Sequence, residues 1–157
     1  ALQTKTNAVG ILATKGTLSS ALFSKTSTLF ANHVKVVEQI GDGIVELIER
    51  GKLQSDEMNA LLKIYLEPMI KANIDYLVLG CTHYPYLIPI LIELLPKHVK
   101  IIDSGEAVAR QTKAVLEKYN LLNSGSRHSR NEFHTNGNPE VIKQLLGENV
   151  VVDYLDF

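Results

Sequence analysis

The sequence has few of the features that mark exported, membrane-bound or nucleic-acid-binding proteins. Its 157 residues include one cysteine, Cys81, which excludes an intramolecular disulfide and metal sites built from cysteine alone. The 16 Lys and Arg nearly balance the 17 Asp and Glu, for a net charge of -1, so no excess charge attracts nucleic acid or anionic lipid. A small neutral or anionic metabolite is a better match for this charge balance.

Long apolar runs and an export signal are also missing. The longest apolar stretch, residues 84–95, is interrupted by Pro89 and Glu93 and is shorter than the roughly 20 residues that a membrane span needs. The first residues show neither the charged nor the apolar region of a signal peptide. We therefore expect a cytoplasmic protein, and the start at Ala1 rather than at Met is compatible with a chain cut from a longer one.

The hydrophobic pattern predicts an α/β fold. With 45% hydrophobic residues the chain can bury a core, and its length suggests one domain. Apolar runs bounded by turn residues alternate with helical patterns, as in parallel strands connected by helices. The predicted strands are residues 8–13, 34–37, 76–79, 99–102, 132–135 and 149–154. The predicted helices are residues 18–29, 40–50, 55–67, 85–95, 106–119 and 139–146, with a polar loop at residues 123–130. Pro68 is expected to end or kink the third helix near Glu67.

One short segment carries the residues best suited to chemistry. Cys81 and His83 lie in GCTHYP, residues 80–85, between a predicted buried strand and a predicted helix. In open parallel sheets, ligands bind at the carboxyl ends of strands, beside helix amino termini that favour a thiolate and hold a carboxylate. Cys81 is therefore a candidate thiolate in an anion-binding crevice, and His83 is placed to exchange a proton.

The same residues fit other interpretations. Free cysteine is among the most buried residue types, so Cys81 could be structural, with a hydrogen-bonded His83 beside it. A Cys-His pair also serves as nucleophile and base in thiol hydrolases and transferases. A hydrolase would further need an orienting Asp or Asn and an oxyanion hole, which the sequence does not place.

The segment LVLGCTHYP, residues 77–85, resembles the second cysteine motif of glutamate racemases, in the aspartate/glutamate racemase superfamily. Other segments resemble that family in the same order along the chain: VGILATKGTLSS at residues 9–20, IIDSGEAVARQ at 101–111 and FHTNGNPE at 133–140. The histidine that follows Cys81-Thr82 distinguishes the motif from that of aspartate racemases, which usually have glutamate there. The resemblance covers almost the whole chain.

This resemblance implies the interconversion of L- and D-glutamate without a cofactor or a metal, which supplies D-glutamate for peptidoglycan and the cell wall. Such a reaction needs two bases on opposite faces of the α-carbon. By resemblance, Cys81 is the thiol that acts on L-glutamate, and His83 assists as an acid or base. Thr82 and His83 would hold the substrate carboxylate and amine, and Thr14 and Thr17 would line the pocket.

Several polar residues have simpler interpretations. Thr14 and Thr17 are, by residue type, turn and cap formers. Glu49 matches a family glutamate near the pocket, but a solvated glutamate at a helix end is the simpler interpretation. Asp103 and Ser104 are expected to cap the helix that follows them.

One part of the family pattern has no match. The Cys-Asn-Thr motif that carries the family's first catalytic cysteine does not occur in this sequence, and no segment corresponds to the Asp-Ser pair of the same amino-terminal lobe. Residues 40–43 also differ from the Cys-Pro pair of many relatives. We therefore expect residues 1–102 to form one racemase lobe, a mainly parallel sheet with helices on both faces, and residues 103–157 to return to the other lobe. The chain would then hold half an active site.

Alternatives to a glutamate racemase fragment remain open. Another cofactor-independent amino-acid racemase would use the same thiol chemistry. A catalytically silent module would bind an amino-acid carboxylate or a partner without turnover. For the racemase we expect a small-molecule substrate, glutamate, and neither nucleic acid nor a membrane as partner; a homodimer is compatible with the sequence.

Overall fold

The computed structural model describes residues 2–123, 125, 131–147 and 149–157. The chain forms two units, Ala1–Asp103 and Ser104–Phe157, and each is described separately. Most of the polar loop predicted at residues 123–130 lies outside the described residues. The assignment of residues 1–102 to one lobe of a racemase, and of residues 103–157 to the other, stays a prediction.

A four-stranded parallel sheet with the strand order β2-β1-β3-β4 organises the first unit. Its strands are β1 Ala8–Ala13, β2 Lys35–Ile40, β3 Tyr76–Gly80 and β4 Lys100–Ile102. The last residue of β1, Ala13, is in register with Ile40 and with Gly80. Strands β1, β2 and β3 therefore end together, at one edge of the sheet.

Helices connect these strands, as parallel pairing requires. They are α1 Lys15–Leu18, α2 Ala21–Phe30, α3 Ile44–Glu49, α4 Asp56–Lys71 and α5 Ile88–Leu94, with a 3₁₀ turn at Tyr84–Leu87. Helices α1, α2 and α4 begin after Thr14, Ser20 and Ser55, because each hydroxyl accepts a backbone N–H of the first turn. Among the described residues, no helix is long and apolar enough to cross a membrane.

The core of the first unit is built from the sheet and the helices packed against it. Strand β1 is buried at every position except Ile11, which is half-buried. Helix α4 contributes a buried stripe at helical spacing, formed by Met58, Leu62, Leu66 and Met69. Further fully buried side chains are Leu12, Ile44, Ile48, Ile74, Leu77, Tyr84, Leu87 and Leu91. The strand ends that meet at one edge therefore rest on close-packed side chains.

The second unit contains a further parallel pair of strands. Its elements are α6 Gly105–Lys118, β5 Phe133–Thr135, α7 Pro139–Leu146 and β6 Val152–Tyr154. Strands β5 and β6 pair in parallel. Helix α7 begins after Asn138, whose side-chain oxygen accepts the N–H of Glu140, and Pro139 suits the first helical position. Both described sheets are parallel, so the predicted α/β class with a mainly parallel sheet is confirmed.

Two predicted helices of the first unit have different bounds for local reasons. In place of the helix predicted at residues 18–29, Thr14 caps a short helical turn at Lys15–Leu18, and a second cap at Ser20 starts α2. The helix predicted at residues 40–50 begins only at Ile44. Strand β2 continues to Ile40, and Gly43 has a left-handed φ of 79°, which separates the strand from the helix.

Pro68 was expected to end or kink α4 near Glu67, and the first of these alternatives is wrong. The helix continues through Pro68 to Lys71, although proline removes one backbone hydrogen bond. Leu66 and Met69, on either side of the proline, are 1% and 0% exposed. Burial of Met69, in the turn after the proline, stabilises this turn and opposes the cost of the lost hydrogen bond.

Candidate functional site

Cys81 lies at the edge of the sheet where β1, β2 and β3 end. It follows Gly80, the last residue of β3, and precedes the 3₁₀ turn at Tyr84–Leu87. The thiol is free, and the residue is half-buried. The strand, turn and helix of the sequence pattern thus place this cysteine where open parallel sheets bind ligands.

His83 lies between this thiol and a carboxylate. Its Nδ1 is 4.0 Å from Sγ of Cys81, and its Nε2 is 3.3 Å from Oε1 of Glu49. The histidine side chain is 35% exposed and the glutamate side chain 62%, so solvent screens the pair and it contributes little to folding stability. The arrangement can exchange a proton between thiol and imidazole while the carboxylate orients the ring.

Glu49 has a contact that its position in the sequence did not predict. It is solvent-exposed, as expected for the end of a helix, but its carboxylate also reaches His83. Helix α3, which ends at Glu49, is six residues long and starts just after β2, so its last residue stays close to the sheet edge. The one indication in the sequence that Glu49 lies near the site was its match to a glutamate of the resembling family.

Thr14 and Thr17 follow β1 at the same edge. Their hydroxyl oxygens are 3.0 Å apart, and the Thr17 hydroxyl donates to the carbonyl of Gly80 at 3.1 Å. Thr14 also accepts the N–H of Thr17 at 3.3 Å, which is the capping role that its residue type suggests. The structure thus brings Thr17 next to the residue before Cys81, and contact of either threonine with a substrate stays a prediction.

Gly80 is required by the close approach of β1 and β3. A Cβ atom on Gly80 would lie 2.7 Å from the Cβ atom of Ala13, much closer than two carbon atoms pack. A side chain here would push β3 away from β1. The glycine before Cys81 therefore fixes the position of the cysteine relative to β1.

Thr82 and Ser104 are two further residues for which the sequence predicted a role. Thr82, between Cys81 and His83, is exposed and accessible to a ligand. Ser104 precedes α6, but its side chain makes no capping hydrogen bond, so the expectation that it caps this helix through its side chain is wrong. Its ψ of -8° is helical, whereas a capping side chain is normally carried by an extended residue.

Asp75 is a buried carboxylate at the opposite edge of the sheet, just before β3 begins. Burial raises its pKa, but hydrogen bonds from the Thr4 hydroxyl and from the backbone N–H groups of Lys5 and Thr6 outweigh burial and lower the pKa to about 2. The carboxylate is therefore charged at neutral pH and holds the segment before β1 against the sheet.

Within the described part of the chain, no group of three or more His, Cys, Asp and Glu side chains could hold a metal ion.

Sequence comparisons point to one family. The family model described as Asp/Glu/Hydantoin racemase matches residues 1–112. A glutamate racemase from Stutzerimonas stutzeri is 44% identical, over 98% of this chain and 59% of the relative. One from Pseudomonas putida strain F1 is also 44% identical, over 93% of this chain and 55% of the relative. The chain therefore spans somewhat more than half the length of these relatives.

Solved structures of glutamate racemases have a similar fold. The Escherichia coli enzyme, in complex with L-glutamate and the activator UDP-MurNAc-ala, matches with a TM-score of 0.76 and 29% identity, over 98% of this chain and 60% of that one. An isoform from Bacillus anthracis matches with a TM-score of 0.79 and 27% identity, over 99% of this chain and 60% of that one. These similarities agree with the parallel α/β architecture.

Proposed function

This chain belongs to the Asp/Glu/Hydantoin racemase family, and from that premise we propose that it supplies half the active site of a glutamate racemase, with Cys81 as one base. The observation that carries the proposal is the thiol of Cys81 beside the imidazole of His83 at the sheet edge, in a chain 44% identical to a glutamate racemase. Half of the site is proposed because the sequence holds a single cysteine.

In the proposed reaction, the Cys81 thiolate removes the α-proton of L-glutamate. The C–H bond breaks, an S–H bond forms, and the electron pair is delocalised into the α-carboxylate. A second base on the opposite face then returns a proton to the α-carbon, which gives D-glutamate. His83 exchanges the proton of Cys81, and Glu49 orients the imidazole. The reaction uses no cofactor and no metal.

Thr14 and Thr17 can contribute to binding of the amino group. The Thr17 hydroxyl donates to Gly80, so in the 3.0 Å contact between the two hydroxyls the proton belongs to Thr14. Both hydroxyl protons are then in use, and each oxygen can only accept from a ligand. An ammonium group suits such acceptors, whereas a carboxylate does not. Thr82 is exposed beside the thiol and is proposed, with His83, to bind the substrate as well.

The cellular role is part of the same proposal. D-glutamate made by the complete site would supply peptidoglycan synthesis, and the enzyme would act in the cytoplasm. Its substrate is a small molecule, and the net charge of -1 gives no reason to invoke nucleic acid or a membrane as partner. A homodimer is compatible with the proposal.

The proposal is tested by completing the site. We would fuse this chain to the part of the Stutzerimonas stutzeri relative that it does not match and follow racemisation of L-glutamate by circular dichroism. The fusion should racemise glutamate, and the same fusion with Cys81→Ser should not. Preference for another amino acid would support a different racemase, and glutamate binding without turnover, seen by calorimetry, would support a silent binding module.

A further inference from the structure

A buried tyrosine links the turn that carries Cys81 and His83 to the loop between β2 and α3. Tyr84 is 0% exposed. Its backbone N–H donates to the carbonyl of Cys81 at 3.2 Å, and its hydroxyl donates to the carbonyl of Gly41 at 3.2 Å. Gly41 follows β2 directly. One side chain thus joins two segments that are distant in the sequence.

The contact between Tyr84 and Gly41 leaves no room for a side chain on the glycine. A Cβ atom at Gly41 would lie 2.3 Å from the hydroxyl oxygen of Tyr84 and 3.0 Å from its Cζ. The N–H of Gly41 donates to the carbonyl of Ala13 at 2.9 Å, so the backbone cannot move away without losing a bond to β1. Only glycine therefore fits at position 41, because any side chain there would clash with Tyr84.

Gly41 also bonds to the start of α3, the helix that ends at Glu49. The carbonyl of Gly41 accepts the N–H of Ile44, the first residue of α3, and Ile44 and Ile48 are buried at 0% exposure. Helix α3 is thus fixed by the core and by Gly41, and it ends at Glu49. His83 is next to Tyr84 in the sequence, so both partners of the 3.3 Å contact between His83 and Glu49 are anchored through Tyr84 and Gly41.

We propose that Tyr84 is a positioning residue of this site, which sets the distance between His83 and Glu49 and so the orientation of the imidazole toward Cys81. Burial raises the pKa of the Tyr84 hydroxyl above its usual range, so the hydroxyl stays a donor at neutral pH. The relevance to catalysis rests on the proposed racemase function. The positioning itself is measurable in this chain without any turnover.

The test uses the reactivity of the single cysteine. The rate at which iodoacetamide alkylates Cys81 is measured by mass spectrometry between pH 6 and pH 9, a range that includes the ordinary pKa of a thiol. Circular dichroism checks that each variant is folded. Tyr84→Phe adds no atoms and removes one hydrogen bond. We expect the alkylation rate at neutral pH to fall by about fivefold, the equivalent of about 1 kcal/mol. An unchanged rate and pH profile would overturn the proposal.

Tyr65→Phe is the matched control. The Tyr65 hydroxyl donates to the carbonyl of Asp42 at 2.9 Å, in the same loop, but Tyr65 belongs to α4 and is not part of the turn with Cys81. This variant loses the same kind of hydrogen bond, and its alkylation profile should match that of the unmodified chain. An equal effect of both variants would mean that the loop as a whole is loosened, and would contradict a specific role for Tyr84.

A double-mutant cycle separates positioning from general destabilisation. If Tyr84 acts through the contact between His83 and Glu49, Tyr84→Phe should have little further effect on alkylation in a Glu49→Gln background. If the double variant instead slows alkylation by the product of the two single effects, the two residues act independently and the proposal is refuted.

A second combination of variants tests the contact with Gly41. Gly41→Ala should slow alkylation more than Tyr84→Phe does. Adding Tyr84→Phe to Gly41→Ala removes the clashing oxygen and should restore part of the rate. If these alkylation tests contradict the role of Tyr84, the racemase proposal is not affected, because the activity of the fusion tests it separately.

Discussion

Nε2 of His83 lies 3.3 Å from Oε1 of Glu49. A carboxylate acceptor at this distance favours the tautomer with the proton on Nε2. Nδ1, which is 4.0 Å from the Cys81 sulfur, then carries a lone pair and can accept the thiol proton. The order carboxylate, imidazole, thiol is therefore suited to produce a thiolate at the sheet edge.

Glu49→Gln tests this relationship. The amide keeps an oxygen acceptor but loses the charge, so the imidazole is held less firmly as it gains a proton. In the fusion with the Stutzerimonas stutzeri segment we expect kcat to fall by on the order of tenfold or more, with KM nearly unchanged. Glu46→Gln, an exposed glutamate on the same helix, is the control and should keep normal activity. A normal kcat for Glu49→Gln would remove Glu49 from the site.

Cys81→Ser should separate chemistry from folding. Serine has nearly the shape of cysteine, and the residue is half-buried, so we expect the free energy of unfolding to change by less than about 1 kcal/mol. The serine hydroxyl is a far weaker acid than a thiol, and racemisation by the fusion should fall below detection. Urea denaturation and the racemisation assay measure the two effects. A large loss of stability would instead indicate a structural cysteine.

Gly10→Ala should destabilise the core of the first unit. A Cβ atom there would lie 2.7 Å from Sδ of Met69 and 2.8 Å from Cδ1 of Ile74, so neighbouring side chains must leave their rotamers, at a cost of about 1–3 kcal/mol. Urea denaturation followed by circular dichroism measures the loss.

Gly16→Ala is the control for Gly10→Ala. Gly16 lies in α1, and a Cβ atom there meets nothing within 4 Å. We expect an unchanged or slightly raised free energy of unfolding, by up to about 1 kcal/mol, because alanine is the better helix former. Equal losses in the two variants would contradict the packing described around Gly10.

Asp75 should make stability depend on pH in the acid range. Its pKa in the folded chain is about 2, against an ordinary value of 3.8. A depressed pKa stabilises the folded state fully above the ordinary value, and this contribution disappears as the pH falls from about 4 to about 2. Asp75→Asn should therefore be less stable than the unmodified chain at pH 6, and the difference should shrink below pH 4. Urea denaturation at several pH values measures this; a difference independent of pH would contradict the assignment.

Much of the fold follows from the sequence because hydrophobic period and turn residues are local signals. Strand β1 and helix α7 have the bounds predicted for them. The continuation of α4 through Pro68 was not predictable in this way, because it depends on burial of Leu66 and Met69 against other elements. The start of α3 depends on the left-handed φ of Gly43, and glycine is compatible with many conformations.

The site was predictable from the sequence where its residues directly follow a predicted strand, as Cys81 and His83 follow β3 and as Thr14 and Thr17 follow β1. Cys81 and His83 share one motif after a buried strand, and that was enough to place them at the sheet edge. Glu49 and Tyr84 reach the site through contacts between separate elements, which depend on how β2 and β3 flank β1. A single sequence does not contain that geometry.

The central claim, that Cys81 is one of two bases and that these residues hold only one, is tested most directly by proton exchange. L- and D-glutamate are incubated separately in deuterated water with the purified chain and with the fusion, and loss of the α-proton is followed by NMR. We expect the chain alone to invert neither enantiomer at an enzymatic rate. The fusion should exchange and invert both enantiomers, and Cys81→Ser should abolish the inversion. Rapid racemisation by the chain alone would reveal a second base within it, and undiminished racemisation by the Cys81→Ser fusion would exclude Cys81 as a base.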